Sequence, residues 1–294
     1  MKQLQIFAVV FTVSLAWTAH ALEFVESKIP FSVRGDKTLI ATLRFPKNRS
    51  RTEVTPLLLL FGGFQSAAGV LDLISPKAPI ALASFDYPFE APRKFEFPGS
   101  LKLAPMAKET IYTMLAAIPA FLDTLKKSPP FLIGPITFVG ASLGAPFVIL
   151  SSPGLSQVKG VVLVHGFADI PGTLAHQLVQ TWTRQDRFGW FRKPLSYTLA
   201  WSAWFYLGLP SPLEVAENFR SDQDVLLFQA KNDHFIPKSD REALWNAVQA
   251  SAAKSKRLEV MEGDHLQPHT THLIAGIMER VTEWMQSKAL LESK

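Results

Sequence analysis

Ile136-Thr137-Phe138-Val139-Gly140-Ala141-Ser142-Leu143-Gly144-Ala145-Pro146-Phe147-Val148-Ile149-Leu150 is the stretch on which the reading of this chain turns. A short β-branched and aromatic run leads into Gly-x-Ser-x-Gly, and an apolar segment that reads as a helix follows. A strand that turns sharply into a helix leaves no room for side chains beside the serine, which accounts for the two glycines. The turn predicts the Ser142 hydroxyl at the top of a sheet, beside a helix N-terminus. There the helix dipole and the Leu143 N–H can stabilise an oxyanion.

Outward from this motif, strand-like and helix-like segments alternate, which predicts an α/β sheet covered by helices. Pro56 to Phe61 is a continuous apolar run ending in Gly62-Gly63, the pattern of a central strand buried on both faces. Phe24–Val33 and Lys37–Phe45 read as an opening hairpin around Gly35-Asp36. Ile80–Phe85, Ile136–Val139, Val158–Val164, Asp224–Ala230 and Arg257–Met261 read as further strands, and Met106–Leu125, Arg241–Ala252 and Thr270–Lys288 as helices. Two segments break the rhythm. Tyr87–Leu103 carries Pro88, Pro92 and Pro98 with Phe89, Phe95 and Phe97, and reads as an ordered loop over the top of the sheet. Phe167–Asp222 is rich in tryptophan, phenylalanine and tyrosine, and an insertion of that length between two strands predicts a lid or small subdomain.

A chain of 294 residues, 48% hydrophobic and 19% charged, is long enough for one large α/β domain with an insertion and does not require two. The net charge is +5 and the sequence pI about 9.3, yet Lys and Arg are scattered without a block of like charge, so a nucleic-acid partner gains no support. There is no cysteine, which excludes disulfides and a lipid-modified N-terminal cysteine. Met1-Lys2-Gln3, the apolar run Ile6–Trp17 and Ala19-His20-Ala21 form a signal-peptide pattern over 1–21. Cleavage after Ala21 is expected, leaving one domain over 22–294 with its lid at 167–222; an uncleaved anchor is the alternative. The expected address is the bacterial periplasm, with secretion beyond it second.

A serine hydroxyl is a poor nucleophile at neutral pH and needs a base, itself oriented by an acid. Asp233 follows the strand ending at Ala230, and His265 follows the strand ending at Met261. A parallel sheet gathers the carboxyl ends of its strands on one edge, so Ser142, Asp233 and His265 can meet there. Asp169, just past the strand ending near His165, is the runner-up acid. His234 competes with His265 but adjoins Asp233. His269 and His272 group with His265, but without His-Glu-x-x-His or cysteine the pattern does not specify a metal. For the second oxyanion donor, Gly62-Gly63-Phe64-Gln65-Ser66 opens a helix after the early buried strand; the Phe64 N–H is the first candidate and Gln65 the second.

With these residues in view the chain resembles the α/β-hydrolase superfamily from about Phe24 to Lys288, through Gly62-Gly63-Phe64, Gly140–Gly144, Asp233 and His265. The hairpin and Gly-Gly loop are similar to the dienelactone-hydrolase and acyl-peptidase-like branch. One departure is Gly62, which stands where many members carry histidine. The resemblance implies a mostly parallel eight-stranded sheet flanked by helices, a helical lid inserted after the sixth strand, and a Ser-His-Asp triad with neither cofactor nor metal. The motifs specify no substrate; with the signal segment and the aromatic insertion, the first expectation is an exported serine esterase that cleaves small-molecule apolar acyl or aryl esters. A peptidase or amidase of the same fold, and a silent binder of a hydrophobic ligand, are the alternatives. Leu199–Leu209, nearly all apolar, suggests peripheral membrane contact, being too short to span.

Overall fold

β3 (Val54–Phe61) is the strand around which the molecule is built. Leu57, Leu59 and Phe61 pack into one apolar cluster, and Leu58 and Leu60 into another, so both faces of the sheet are covered. The computed structural model describes residues 22–34, 37–48, 52–63, 67–88, 102–267 and 270–291. The signal segment 1–21, the Gly35-Asp36 turn, most of the 87–103 loop, Phe64, Gln65 and His269 lie outside the described residues.

The other strands are β1 (Phe24–Val33), β2 (Lys37–Pro46), β4 (Ala81–Phe85), β5 (Leu132–Ala141), β6 (Val158–Val164), β7 (Asp224–Ala230) and β8 (Ser255–Met261). Together they form one eight-stranded sheet in the order β1-β2-β4-β3-β5-β6-β7-β8. β2 runs against both of its neighbours, and every other pairing is parallel. The helices divide between the faces. α1 (Ala67–Asp72) and α8 (Thr271–Ser287) cover one, through Leu71, Ile277 and Trp284. α2 (Ala104–Lys127), α3 (Gly144–Ser151) and α7 (Lys238–Ala250) cover the other, through Phe121, Val148 and Leu244.

β5 starts four residues earlier than the Ile136–Val139 run suggests. Gly134 and Pro135 read locally as a strand breaker, but Leu132 and Ile133 pair with Val54 and Thr55 of β3. The ladder shifts register between Thr55 and Leu57, where Pro56 has no N–H to donate, so the bulge absorbs the irregularity.

Between β6 and β7 the chain forms α4 (Ile170–Arg184), a 3₁₀ turn (Gly189–Phe191), α5 (Arg192–Leu207) and the short α6 (Pro212–Ala216). α4 and α5 pack on each other, while α6 packs on α3 and α7. α5 ends at Gly208, whose φ of 66° is the left-handed cap that stops a helix.

Candidate active site

β5 delivers Ser142. Ala141 pairs with Val164 of β6, and the Ser142 amide donates to the Val164 carbonyl at 2.9 Å. Ser142 then takes φ of 51°, a left-handed conformation that costs a residue with a Cβ about 1–3 kcal/mol. The Ala145 amide donates back to the Ser142 carbonyl at 3.0 Å and α3 begins. Two close approaches explain the flanking glycines. A Cβ on Gly144 would collide with the Phe61 carbonyl of β3, and one on Gly140 would sit 2.8 Å from the Gly144 carbonyl oxygen. Both obstacles are backbone and cannot swing aside.

Asp233 and His265 stand in the loops after β7 and β8, and both are buried. His265 Nδ1 lies 2.9 Å from Asp233 Oδ2, and its Nε2 lies 2.9 Å from Ser142 Oγ. A carboxylate only accepts, so Nδ1 carries the proton and Nε2 is left to accept from the Ser142 hydroxyl. Asp233 Oδ1 accepts the amides of Phe235 at 2.9 Å and Ile236 at 2.8 Å. Burial works to raise the Asp233 carboxyl. The His265 hydrogen bond and charge, with the two amides, outweigh it and hold the group below its ordinary value. The Phe235 ring stacks on the His265 imidazole, centroids 4.8 Å apart, and covers one of its faces.

Asp264 ties the two loops together. Its Oδ1 accepts the amides of His234 at 2.9 Å and His265 at 2.6 Å. The His234 amide first, with the His265 amide and the His234 ring, outweighs the opposing effect of burial and holds its carboxyl down at about 2. The other candidates are employed elsewhere. Asp169 caps α4, its Oδ1 accepting the Gly172 amide at 3.0 Å. His234 is exposed and turns to Asp264, at 3.0 Å. His272 is exposed in the first turn of α8.

No protein-family model matches the chain, and no curated protein sequence matches it. Solved structures do. An esterase of Pyrococcus furiosus superposes with a TM-score of 0.61 at 13% identity, covering 92% of this chain and 93% of that one. The esterase domain of a Rhodothermus marinus protein gives 0.56 at 15% identity, over 90% and 98%. An acylaminoacyl peptidase of Pyrococcus horikoshii gives 0.62 at 14% identity, over 92% of this chain and 42% of that chain.

The chain has the α/β-hydrolase fold.

Within this α/β-hydrolase fold, His165 is a residue that sequence reasoning passed over, its one signal being its place directly after β6. It is buried, with φ of 45°, and its amide donates to the Phe228 carbonyl at 2.9 Å. Its Nδ1 accepts the Leu266 amide at 2.9 Å, so its proton sits on Nε2. Burial, and after it the neighbouring His265, push its pKa down to about 4. His165, Asp233 and His265 each offer a ligand atom within 4.8 Å of the others. Nδ1 of both histidines is committed, that of His265 to Asp233 and that of His165 to the Leu266 amide, while His165 Nε2 is buried without a hydrogen-bond partner among the described residues.

The insertion reaches the Asp233 loop. From α4, Gln180 Nε2 donates to the His234 carbonyl at 2.8 Å, His176 Nε2 lies 3.2 Å from the same oxygen, and Gln177 donates to the Phe235 carbonyl. On the opposite side, Leu143 caps α3 without a side-chain hydrogen bond, which leaves the helix N-terminus to the backbone amides. The Tyr87 hydroxyl donates to the Gly62 carbonyl at 2.7 Å and steadies the chain directly after β3. A Cβ at Gly62 would meet Val70 Cγ2 at 2.6 Å, which gives a physical reason for the departure from histidine there.

Proposed function

We propose that the chain is a serine hydrolase that cleaves carboxylic esters through an acyl-enzyme. The observation that carries this reading is the unbroken line from Ser142 Oγ to His265 Nε2 and from His265 Nδ1 to Asp233, 2.9 Å at each step, with Ser142 on a strained turn. The reaction follows from it. As Ser142 Oγ attacks the ester carbonyl carbon, its proton passes to His265 Nε2, and Asp233 stabilises the imidazolium. The tetrahedral oxyanion forms beside the α3 N-terminus, where the Leu143 N–H serves as one donor and the Phe64 N–H as the other. His265 returns the proton to the leaving alkoxide as the C–O bond breaks. Water then attacks the acyl-serine by the same route and releases the acid.

On this reading α4 and α5 act as the lid. Segment 1–21 directs export to the periplasm, a point that N-terminal sequencing of the protein from fractionated cells tests. A peptidase reading has one observation in its favour, the likeness to an acylaminoacyl peptidase.

The deciding experiment is hydrolysis of p-nitrophenyl esters from acetate to palmitate by the protein and its Ser142→Ala variant. Turnover lost in the variant, by about 10⁴-fold or more, supports the esterase. Turnover of peptide anilides without ester turnover would move the reading to a peptidase, and no turnover of either by folded protein would defeat it.

A further inference from the structure

α5 inverts the usual pattern of a surface helix. Its fully buried positions are the small residues Ser196 and Ala200. Its solvent face carries Tyr197, Trp201 and Phe205, spaced four residues apart and therefore one stripe on the helix. Trp190 and Phe191 stack at the N-terminal end of this stripe, centroids 3.5 Å apart, and Tyr206 flanks its other end. Trp190 is 79% exposed and Phe205 76%. Among the described residues, every exposed aromatic side chain lies here or, like Tyr112, against it: the Tyr112 hydroxyl donates to the Leu207 and Gly208 carbonyls that end α5. A contiguous aromatic surface of this kind marks an interaction site.

Charge selects the partner. Between Ile170 and Leu213 the chain carries four cations, Arg184, Arg187, Arg192 and Lys193, against a single carboxylate, Asp186. Lys193 heads the same four-residue row as Tyr197, Trp201 and Phe205. Lys108 of α2 lies 5.0 Å over the Tyr206 ring. A second copy of this chain would set those cations against themselves. Tryptophan and tyrosine beside Lys and Arg are the composition that seats a helix at a lipid headgroup boundary, and anionic headgroups attract each cation near the surface. No helix among the described residues is long and apolar enough to cross a bilayer.

We propose that α5 and the turn before it dock on the surface of an anionic phospholipid membrane, with the helix in the interface plane. The inference stands apart from the hydrolase reading, because it is tested by binding alone.

The test is flotation of the full chain with vesicles of phosphatidylcholine, alone or with phosphatidylglycerol, alongside tryptophan emission. The chain is expected to float with the anionic vesicles and its emission to shift to shorter wavelength. Trp190→Ala with Phe205→Ala should weaken partitioning about tenfold or more. Arg187→Glu with Lys193→Glu should weaken it comparably, as should added salt. All four positions are on the surface, and circular dichroism checks that the variants fold. Three outcomes would overturn the proposal: no binding to anionic vesicles, equal binding to neutral ones, or an aromatic variant that floats as well as its parent, which would assign binding to the N-terminal apolar run. A parent dimer that the aromatic variant dissociates, read by light scattering, would overturn it in favour of a second copy.

Discussion

The Nδ1 of His165 accepts the Leu266 amide at 2.9 Å, so the residue that follows β6 holds the backbone directly after the candidate base. Replacing His165 by leucine strands that amide in a partly buried place. The cost is about 1–3 kcal/mol in a urea melt, and on the proposed reading ester hydrolysis falls with it. His165→Gln, which keeps an acceptor, is expected to recover part of both.

The same histidine gives the protein an acid sensitivity with a defined window. Its ordinary pKa is 6.5 and its folded pKa about 4. Between these values the unfolded chain binds a proton that the folded chain does not, so stability rises with pH. It is fully present above 6.5 and is lost as pH falls toward 4, by about 3 kcal/mol in all. Melts across this range should show that slope, and His165→Gln should flatten it.

Asp240 carries the opposite sign. It is buried and takes hydrogen bonds from Thr173 Oγ1 at 2.8 Å and Ser239 Oγ at 3.1 Å. Burial first, and then the Asp169 carboxylate, hold its pKa above the ordinary value against those bonds. For an acid raised on folding, stability is present below the unfolded pKa and declines as pH rises through the folded one. Asp240→Asn keeps an acceptor for Thr173 and removes the buried charge. It is expected to raise the melting temperature at pH 7 and to change little at pH 3.

On the proposed reaction, α4 acts through the Asp233 loop. Gln177→Ala with Gln180→Ala removes the hydrogen bonds to the Phe235 and His234 carbonyls. Loosening the acid by a fraction of an ångström should lower kcat about tenfold. KM and the urea midpoint should hold, since these are partly solvated bonds. A change in KM alone would place the two glutamines in substrate binding instead.

The tight turn offers a contrast of glycines. Gly144→Ala drives a Cβ into the Phe61 carbonyl, a backbone group that cannot swing aside, and is expected to cost about 3 kcal/mol or to prevent folding. Gly276→Ala, inside α8 with nothing within 4 Å of the new atom, is expected to stabilise by about 0.5–1 kcal/mol. Thermal melts of the two variants read both signs.

Much of the architecture was legible because burial on two faces writes itself as unbroken apolar runs, as in Leu57–Phe61 and Val161–Val164. Ser142, Asp233 and His265 were legible because each closes a strand of a parallel sheet, and such ends share an edge. What escaped was decided by contacts distant in sequence. The start of β5 depends on pairing with Val54 and Thr55 across a bulge, not on its own Gly134-Pro135. His165 looks like any histidine at a strand end until the loop after β8 folds over it. Asp169 had the right address for an acid, but a Pro-Gly helix start lies directly beyond it and claims its carboxylate as a cap.

The insertion after β6 contains two parts of different standing. Parallel neighbours such as β6 and β7 need a crossover in any case, and α6, with Pro212 and Ala216 buried and Phe219 buried just beyond it, serves that need against α3 and α7. α5 buries only Ser196 and Ala200 and leans chiefly on α4. The stretch from Gln185 to Leu209 is therefore a cassette. A chimera that exchanged it, with the α4 face it packs on kept complementary, would leave the sheet and the serine turn as they are, so the proposed adhesive surface and the proposed chemistry can be varied separately.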